Sequence, residues 1–176
     1  MKRISITTLI LVLLAVVSTG YRILPLRPFN FTPIIGMMLA GAAFFPRRWM
    51  SYLIPMAALL LSDAIIGFHN QMWLVYGTYA LIISLGFVLR SKITPVKVLS
   101  LSVLSSVLFY LVTNFFCWYG SSMYSQDLQG MMINYYSALP YFRNSLAGDV
   151  LFSFAFVYGV QFAQSRFESS KKVHLG

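Results

Sequence analysis

Six apolar runs, each closed by a polar or basic cluster, constrain this chain more than any other feature of it. They cover residues 4–19, 32–45, 49–68, 73–89, 96–118 and 144–164. A helix that crosses a bilayer needs about 20 mostly apolar residues, and most of these runs meet or approach that length. The second is short but uncharged, and Thr32-Pro33 offers a cap followed by proline at the first helical position. Only 10% of the residues are charged, against about 25% in soluble domains, so water cannot be the solvent for most of the surface. The sequence therefore predicts an all-α, polytopic membrane helix bundle of about six transmembrane helices. It forms one integral membrane domain over residues 1–176, with an outer lid segment at 119–142.

The net charge of +9 comes from 13 Lys and Arg against 4 Asp and Glu. In a soluble protein it would suggest nucleic acid. Here the bases lie in short clusters between apolar runs, without the basic stripe and interleaved aromatics of a single-strand binder, so no nucleic-acid partner is expected. With both termini cytoplasmic, the inner segments hold Lys2, Arg3, Arg47, Arg48, Arg90, Lys92, Lys97, Arg166, Lys171 and Lys172, and the outer ones only Arg22, Arg27 and Arg143. That asymmetry predicts a multi-pass protein of the plasma (inner) membrane with an even number of spans. Trp49, Trp73 and Trp118 fall at predicted helix ends, where amphipathic rings favour the interface. A rival reading takes residues 1–20 as a cleaved signal peptide, on a basic start, an apolar stretch and small residues at Val17-Ser18-Thr19-Gly20. It would leave five helices.

Two acids fall inside the apolar runs. At a rise of about 1.5 Å per residue, Asp63 and Asp149 each lie roughly 7 to 8 Å below the outer ends of their helices, and Asn114 lies roughly 6 Å deep. Three polar groups from three helices thus share one layer. Arg22, Arg27 and Asn30, then His69 and Asn70, then Arg143 and Asn144, lie directly above it. The inner halves offer only scattered hydroxyls such as Ser84, Ser102 and Ser105. Ionisable groups within spans are functional candidates, and polarity confined to the outer half is what an outward-facing pocket produces. The alternative is that Asp63 pairs with Arg22, and Asp149 with Arg143, only to fasten loops.

Residues 119–142 are rich in tyrosine. Leu128, Met131, Met132, Tyr135 and Leu139 recur at three- and four-residue intervals, which suggests a short amphipathic helix weakened by Gly130 and limited by Pro140. Such a segment serves either as a lid, with Tyr135 and Tyr136 in it, or as a helix resting on the membrane interface. Gly36, Ala40 and Gly41, and Gly159 with Ala163, provide small-residue spacing for close helix packing.

No Walker A, His-Glu-x-x-His or Gly-x-Ser-x-Gly sequence is present. The only histidines are His69 and His174, and the only cysteine is Cys117, expected to be a small apolar filler. No disulfide, multi-histidine metal site, resident metal or cofactor is expected, and no enzymatic activity. An outer-leaflet enzyme using Asp63, His69 and a serine stays as a lesser alternative.

Arg22-Ile-Leu-Pro, Asn30-Phe-Thr-Pro-Ile, Leu61-Ser-Asp63-x-x-x-Gly-Phe-His69, Val75-Tyr76-Gly, Thr113-Asn114-Phe, and Pro140-Tyr-Phe-Arg-Asn144 with Gly148-Asp149 together resemble a family of uncharacterised bacterial six-helix membrane proteins. That resemblance covers about residues 20 to 160. The family is in turn similar to the substrate-binding S components of energy-coupling factor vitamin transporters. It implies a small-molecule ligand, a vitamin or corrinoid, bound near the outer surface, with separate ATPase and coupling subunits as partners besides the lipid bilayer. In a cobalamin-type reading His69 would supply an axial cobalt ligand. Arg22, Asn30, Asp63, His69, Asn114, Arg143, Asn144 and Asp149 are the expected binding residues, with Tyr135 and Tyr136 in the lid. A structural or assembly membrane protein without a ligand is the alternative.

Overall fold

Among the described residues six α-helices form along the apolar runs: α1 (Ile6–Ile23), α2 (Ile34–Phe44), α3 (Arg48–Ile66), α4 (Met72–Gly86), α5 (Pro95–Trp118) and α6 (Leu128–Val173). One 3-10 turn, Phe87–Arg90, continues α4. The computed structural model describes residues 5–24 and 28–173, with side chains to residue 167. Lys2, Arg3, Arg27 and His174, and the side chains of Lys171 and Lys172, lie outside the described residues.

The chain is a polytopic membrane helix bundle. Among the described residues five helices are long and apolar enough to cross a bilayer, and α2 is a shorter apolar helix. The five long helices make a ring in which α1 touches α3, α3 touches α4, α4 touches α5, α5 touches α6, and α6 returns to α1. All five also touch α2, which stands at the centre. Every residue from Ile34 to Ala42 is buried, as expected of a helix that is apolar all round. The ring's outer surface exposes large apolar side chains such as Leu13, Val16, Leu61, Ile65 and Leu151, which suits lipid and would be a liability in water.

The second apolar run, residues 32–45, which holds α2, is expected as one of about six spans. Eleven residues rise only about 16 Å, roughly half of a hydrocarbon core about 30 Å thick. The helix itself is enclosed and of half length, and residues 28–33 before it complete that passage from the end where a cavity opens to the end closed by Arg90. Its first residues also differ from the expectation. Pro33, not Thr32, is the N-cap, and no side chain caps the helix there.

Close packing around α2 depends on two glycines. A Cβ on Gly36 would lie 2.6 Å from the backbone carbon of Phe152, and one on Gly86 would lie 2.7 Å from the Ala42 Cβ. Gly159 faces nothing within 4 Å, so of the two small-residue sets only the α2 set is used inside the chain. At the basic end of the bundle, Arg90 closes α2. Its Nε donates to the Ala42 carbonyl at 2.8 Å and its Nη2 to the Phe45 carbonyl at 2.8 Å. These carbonyls have no partner within the helix, and a cation there also suits the helix dipole.

α1 runs without interruption through the candidate signal-cleavage region to Ile23. It closes the ring between α3 and α6. The apolar stretch that reads as a signal peptide is thus a packed member of the bundle.

α6 departs most from expectation. Its 46 residues form one helix that passes through Pro140, where the sequence suggested a boundary. The missing proline N–H frees the Tyr136 carbonyl. Tyr136 is 76% exposed on the outside of the bundle, where an interfacial group can solvate that carbonyl. At about 69 Å, α6 is far longer than the hydrocarbon core and projects from it. The Asp127 carboxylate caps its start, Oδ1 accepting from the Gly130 N–H at 2.7 Å and the Ser125 hydroxyl at 2.8 Å. These donors hold the carboxyl below the usual carboxylate range. Gly130 is required by this cap, since a Cβ there would meet the Ser125 carbonyl oxygen at 2.0 Å. Gln126 folds the preceding loop by donating to the carbonyls of Trp118 (2.9 Å), Ser121 (3.0 Å) and Tyr124 (3.1 Å).

Candidate functional site

Because α2 fills only part of the ring's depth, the space beyond its N-terminus stays open. A cavity of about 400 Å³ occupies it. Pro33 to Ile35 begin the helix at the cavity floor, with Thr32, Ile34 and Ile35 among the lining residues. Asn30 also lines it and adopts a positive φ of 58°, which asparagine tolerates better than most residues.

Two helix faces form the facing walls. From α5 come Ser106, Phe109, Tyr110, Thr113, Asn114 and Cys117. From α6 come Ala138, Tyr141, Phe142, Ser145 and Asp149. Both sets follow the spacing of three and four that keeps side chains on one helix face. Tyr79 and Gln71 of the α4 region and Arg22 of α1 complete the lining.

The rings are already paired. Tyr79 stacks on Phe109 with centroids 4.8 Å apart, and Tyr110 lies 4.4 Å from Phe142. The wall helices are also tied together. Tyr110 donates to the Tyr135 carbonyl at 2.6 Å, Tyr135 donates to the Leu111 carbonyl at 2.7 Å, and Asn134 donates to the Asn114 carbonyl at 2.9 Å. The first part of α6 therefore stands as a wall bonded to α5.

Two acidic clusters meet the cavity in different ways. In the first, Arg22 Nη1 bonds to Asp63 Oδ1 and donates to Ser62 Oγ at 2.5 Å. Tyr76 Oη donates to Asp63 Oδ2 at 2.7 Å. Asp63 is 2% exposed and has both oxygens occupied. In the second, the hydroxyls of Ser106 and Ser145 both donate to Asp149 Oδ2, the latter at 3.1 Å. Asp149 is also 2% exposed. Among the described residues its Oδ1 has no hydrogen-bond donor, and no basic side chain pairs with it.

Of the residues expected at the site, Arg22, Asn30, Asn114 and Asp149 line the cavity, and Asp63 braces Arg22 from behind. Asn114 spends its amide nitrogen on the Tyr110 carbonyl one turn back, at 2.8 Å. The other five lie outside the lining. His69 is exposed in the turn between α3 and α4, where its carbonyl accepts from the Met72 N–H at 3.2 Å. Arg143 is exposed and does not pair with Asp149, since six residues place it about 120° around the helix. Asn144 donates to the Phe29 carbonyl at 3.1 Å, tying α6 to the loop before α2. Tyr135 is turned toward Leu111, and Tyr136 faces outward. Arg27 lies outside the described residues.

Cys117, expected as an apolar filler, is exposed and lines the cavity. Ser106, Phe109, Tyr110, Tyr141, Phe142 and Ser145 also line the cavity without having been expected there. Their signal was present as a polar-aromatic stripe at helical spacing on α5 and α6, but such a stripe has no address until the facing helix is known. Among the described residues no three His, Cys, Asp or Glu side chains converge as a metal site requires.

A family model described as a family of unknown function, DUF6580, matches residues 2–171, and the chain belongs to that family. No curated protein and no solved structure matches the chain.

Proposed function

We propose that this member of the family is a solute-capture protein of the plasma membrane, which takes a small water-soluble compound from outside into the cavity above α2. The observation that carries the reading is the cavity itself. It is a polar and aromatic chamber at one end of the bundle, while the opposite end is closed by packed α2 and Arg90. The distribution of Lys and Arg in the sequence puts that closed end in the cytoplasm.

A cavity of this size suits a small molecule. The reading is one of binding without turnover, in which the serines beside Asp149 serve as donors to its carboxylate. The likeness to S components of energy-coupling factor transporters, small binders without an ATPase of their own, fits this arrangement. It makes separate ATPase and coupling subunits the partners to look for, and a vitamin or corrinoid the class to try first.

The test is a thermal-shift screen of the detergent-purified protein against vitamins, corrinoids, cobalt and nickel ions, and nucleosides. A compound that binds only the folded state raises apparent stability by mass action. A stabiliser whose effect disappears on Asn114→Ala supports capture in the cavity. A well-folded protein that no compound stabilises argues for a structural role.

A further inference from the structure

We infer that the cavity selects a small organic cation, a protonated amine carried on an apolar or aromatic body, with Asp149 as its counter-charge. The inference rests on the capture reading and names the class of compound captured.

Charge decides it. Arg22 and Asp63 match each other within one network, which leaves Asp149 as the unmatched charge among the described residues that line the cavity. It lines the cavity, is 2% exposed, and has Oδ1 without a donor among the described residues. A carboxylate inside a membrane span demands a partner, and two serine hydroxyls on Oδ2 orient it without cancelling its charge. The start of α2 lies close by, as the approach of Gly148 to the Thr32 nitrogen shows. A helix N-terminus carries only about half a charge, and among the described residues no α2 N–H bonds to Asp149. An ammonium group donating to Oδ1 completes the pairing that the protein leaves open.

The walls support the same class. Tyr79, Phe109, Tyr110, Tyr141 and Phe142 present aromatic rings around the chamber, and ring faces attract cations while packing against an apolar body. An anionic ligand would have to approach a carboxylate that no basic side chain among the described residues pairs with, which is unfavourable.

The test sorts a library of small water-soluble compounds by charge and includes a matched set of phenethylamine, phenethyl alcohol and 3-phenylpropionate. Thermal shift is read on the wild type and on Asp149→Asn, which keeps the side chain's size. The expected result is that stabilising compounds are concentrated among amines, and that the best amine loses at least about tenfold in affinity on Asp149→Asn, as a lost charge-assisted hydrogen bond implies. Stabilisers that are mainly neutral or anionic, or an amine that binds both proteins equally, would overturn the cation inference and leave capture standing. No stabiliser in any charge class would overturn both. Should Asp149→Asn fail to fold, alkylation of Cys117 in the wild type decides. Cys117 lines the same cavity, so phenethylamine should slow its reaction with a maleimide while phenethyl alcohol does not. Equal slowing, or none, overturns the inference.

Discussion

Arg22 of α1 and Asp63 of α3 form an ion pair inside the helix ring, and Tyr76 of α4 bonds to the carboxylate oxygen that the arginine leaves open. Three helices are joined at one buried point. Asp63→Ala removes the acceptor shared by Arg22 and Tyr76 and should cost about 1–3 kcal/mol, less than for a fully buried pair because the arginine is 20% exposed. Replacing both members with apolar residues, Arg22→Met with Asp63→Leu, should cost much less than the two single changes together. A double-mutant cycle read by unfolding in mixed detergent checks this. Additive costs would mean that the pair is not a coupled unit.

Gly36 and Gly159 look alike in the sequence and should behave differently. Gly36→Ala drives a methyl group into the Phe152 backbone, 2.6 Å away, and should destabilise the bundle by about 1–3 kcal/mol, as overpacking does. Gly159→Ala meets open space and should leave stability unchanged or slightly raised. Melting temperatures of the two variants decide. Equal effects would contradict the close approach of α2 and α6.

Cys117 tests orientation. A thiol in lipid reacts slowly, because the thiolate is the reactive form, whereas Cys117 is exposed and lines the cavity. A membrane-impermeant maleimide added to intact cells should label it. Labelling only after the membrane is opened would place the cavity on the cytoplasmic side and reverse the predicted topology.

The Asp127 cap should fail in acid. Its folded carboxyl titrates below the ordinary carboxylate range, so its contribution is complete above the unfolded value. That contribution is lost as pH falls through the folded value. Asp127→Ala should loosen residues 121–130 at neutral pH, and Asp127→Asn, a competent cap, should loosen them less. Limited proteolysis of the three proteins reads the difference. Identical cutting would show that Gln126 alone holds the loop.

Part of the site was legible as position and little as partnership. Asp63 and Asn114 lie within a turn of the ends of α3 and α5, as expected, but the expected common layer does not include Asp149. It bonds to Ser106, eight residues or about 12 Å from Asn114 along α5, because α6 begins at Leu128 and not near Asn144. The Arg22–Asp63 pair could be named as one of two candidate pairs. The second candidate, Arg143 with Asp149, does not form, because Arg143 points away and Ser106 and Ser145 take Asp149 instead. Tyr135 and Tyr136 stood out by composition, yet the side chains that reach the cavity are Tyr141 and Phe142, one or two turns further along.

The sequence by itself determined the apolar surroundings and the presence of membrane-length helices. These follow from local quantities: the length of an apolar run and the polar residues that close it. Only the tertiary structure decided that the second run is the centre of a ring of five, that it stops short, and that a cavity therefore opens above it. An apolar run looks the same whether it faces lipid or other helices, since both are apolar surroundings. Its place in the bundle is set by which backbones can approach closely, as α2 and α6 do at Gly36, and that is a property of two helices together rather than of either sequence alone.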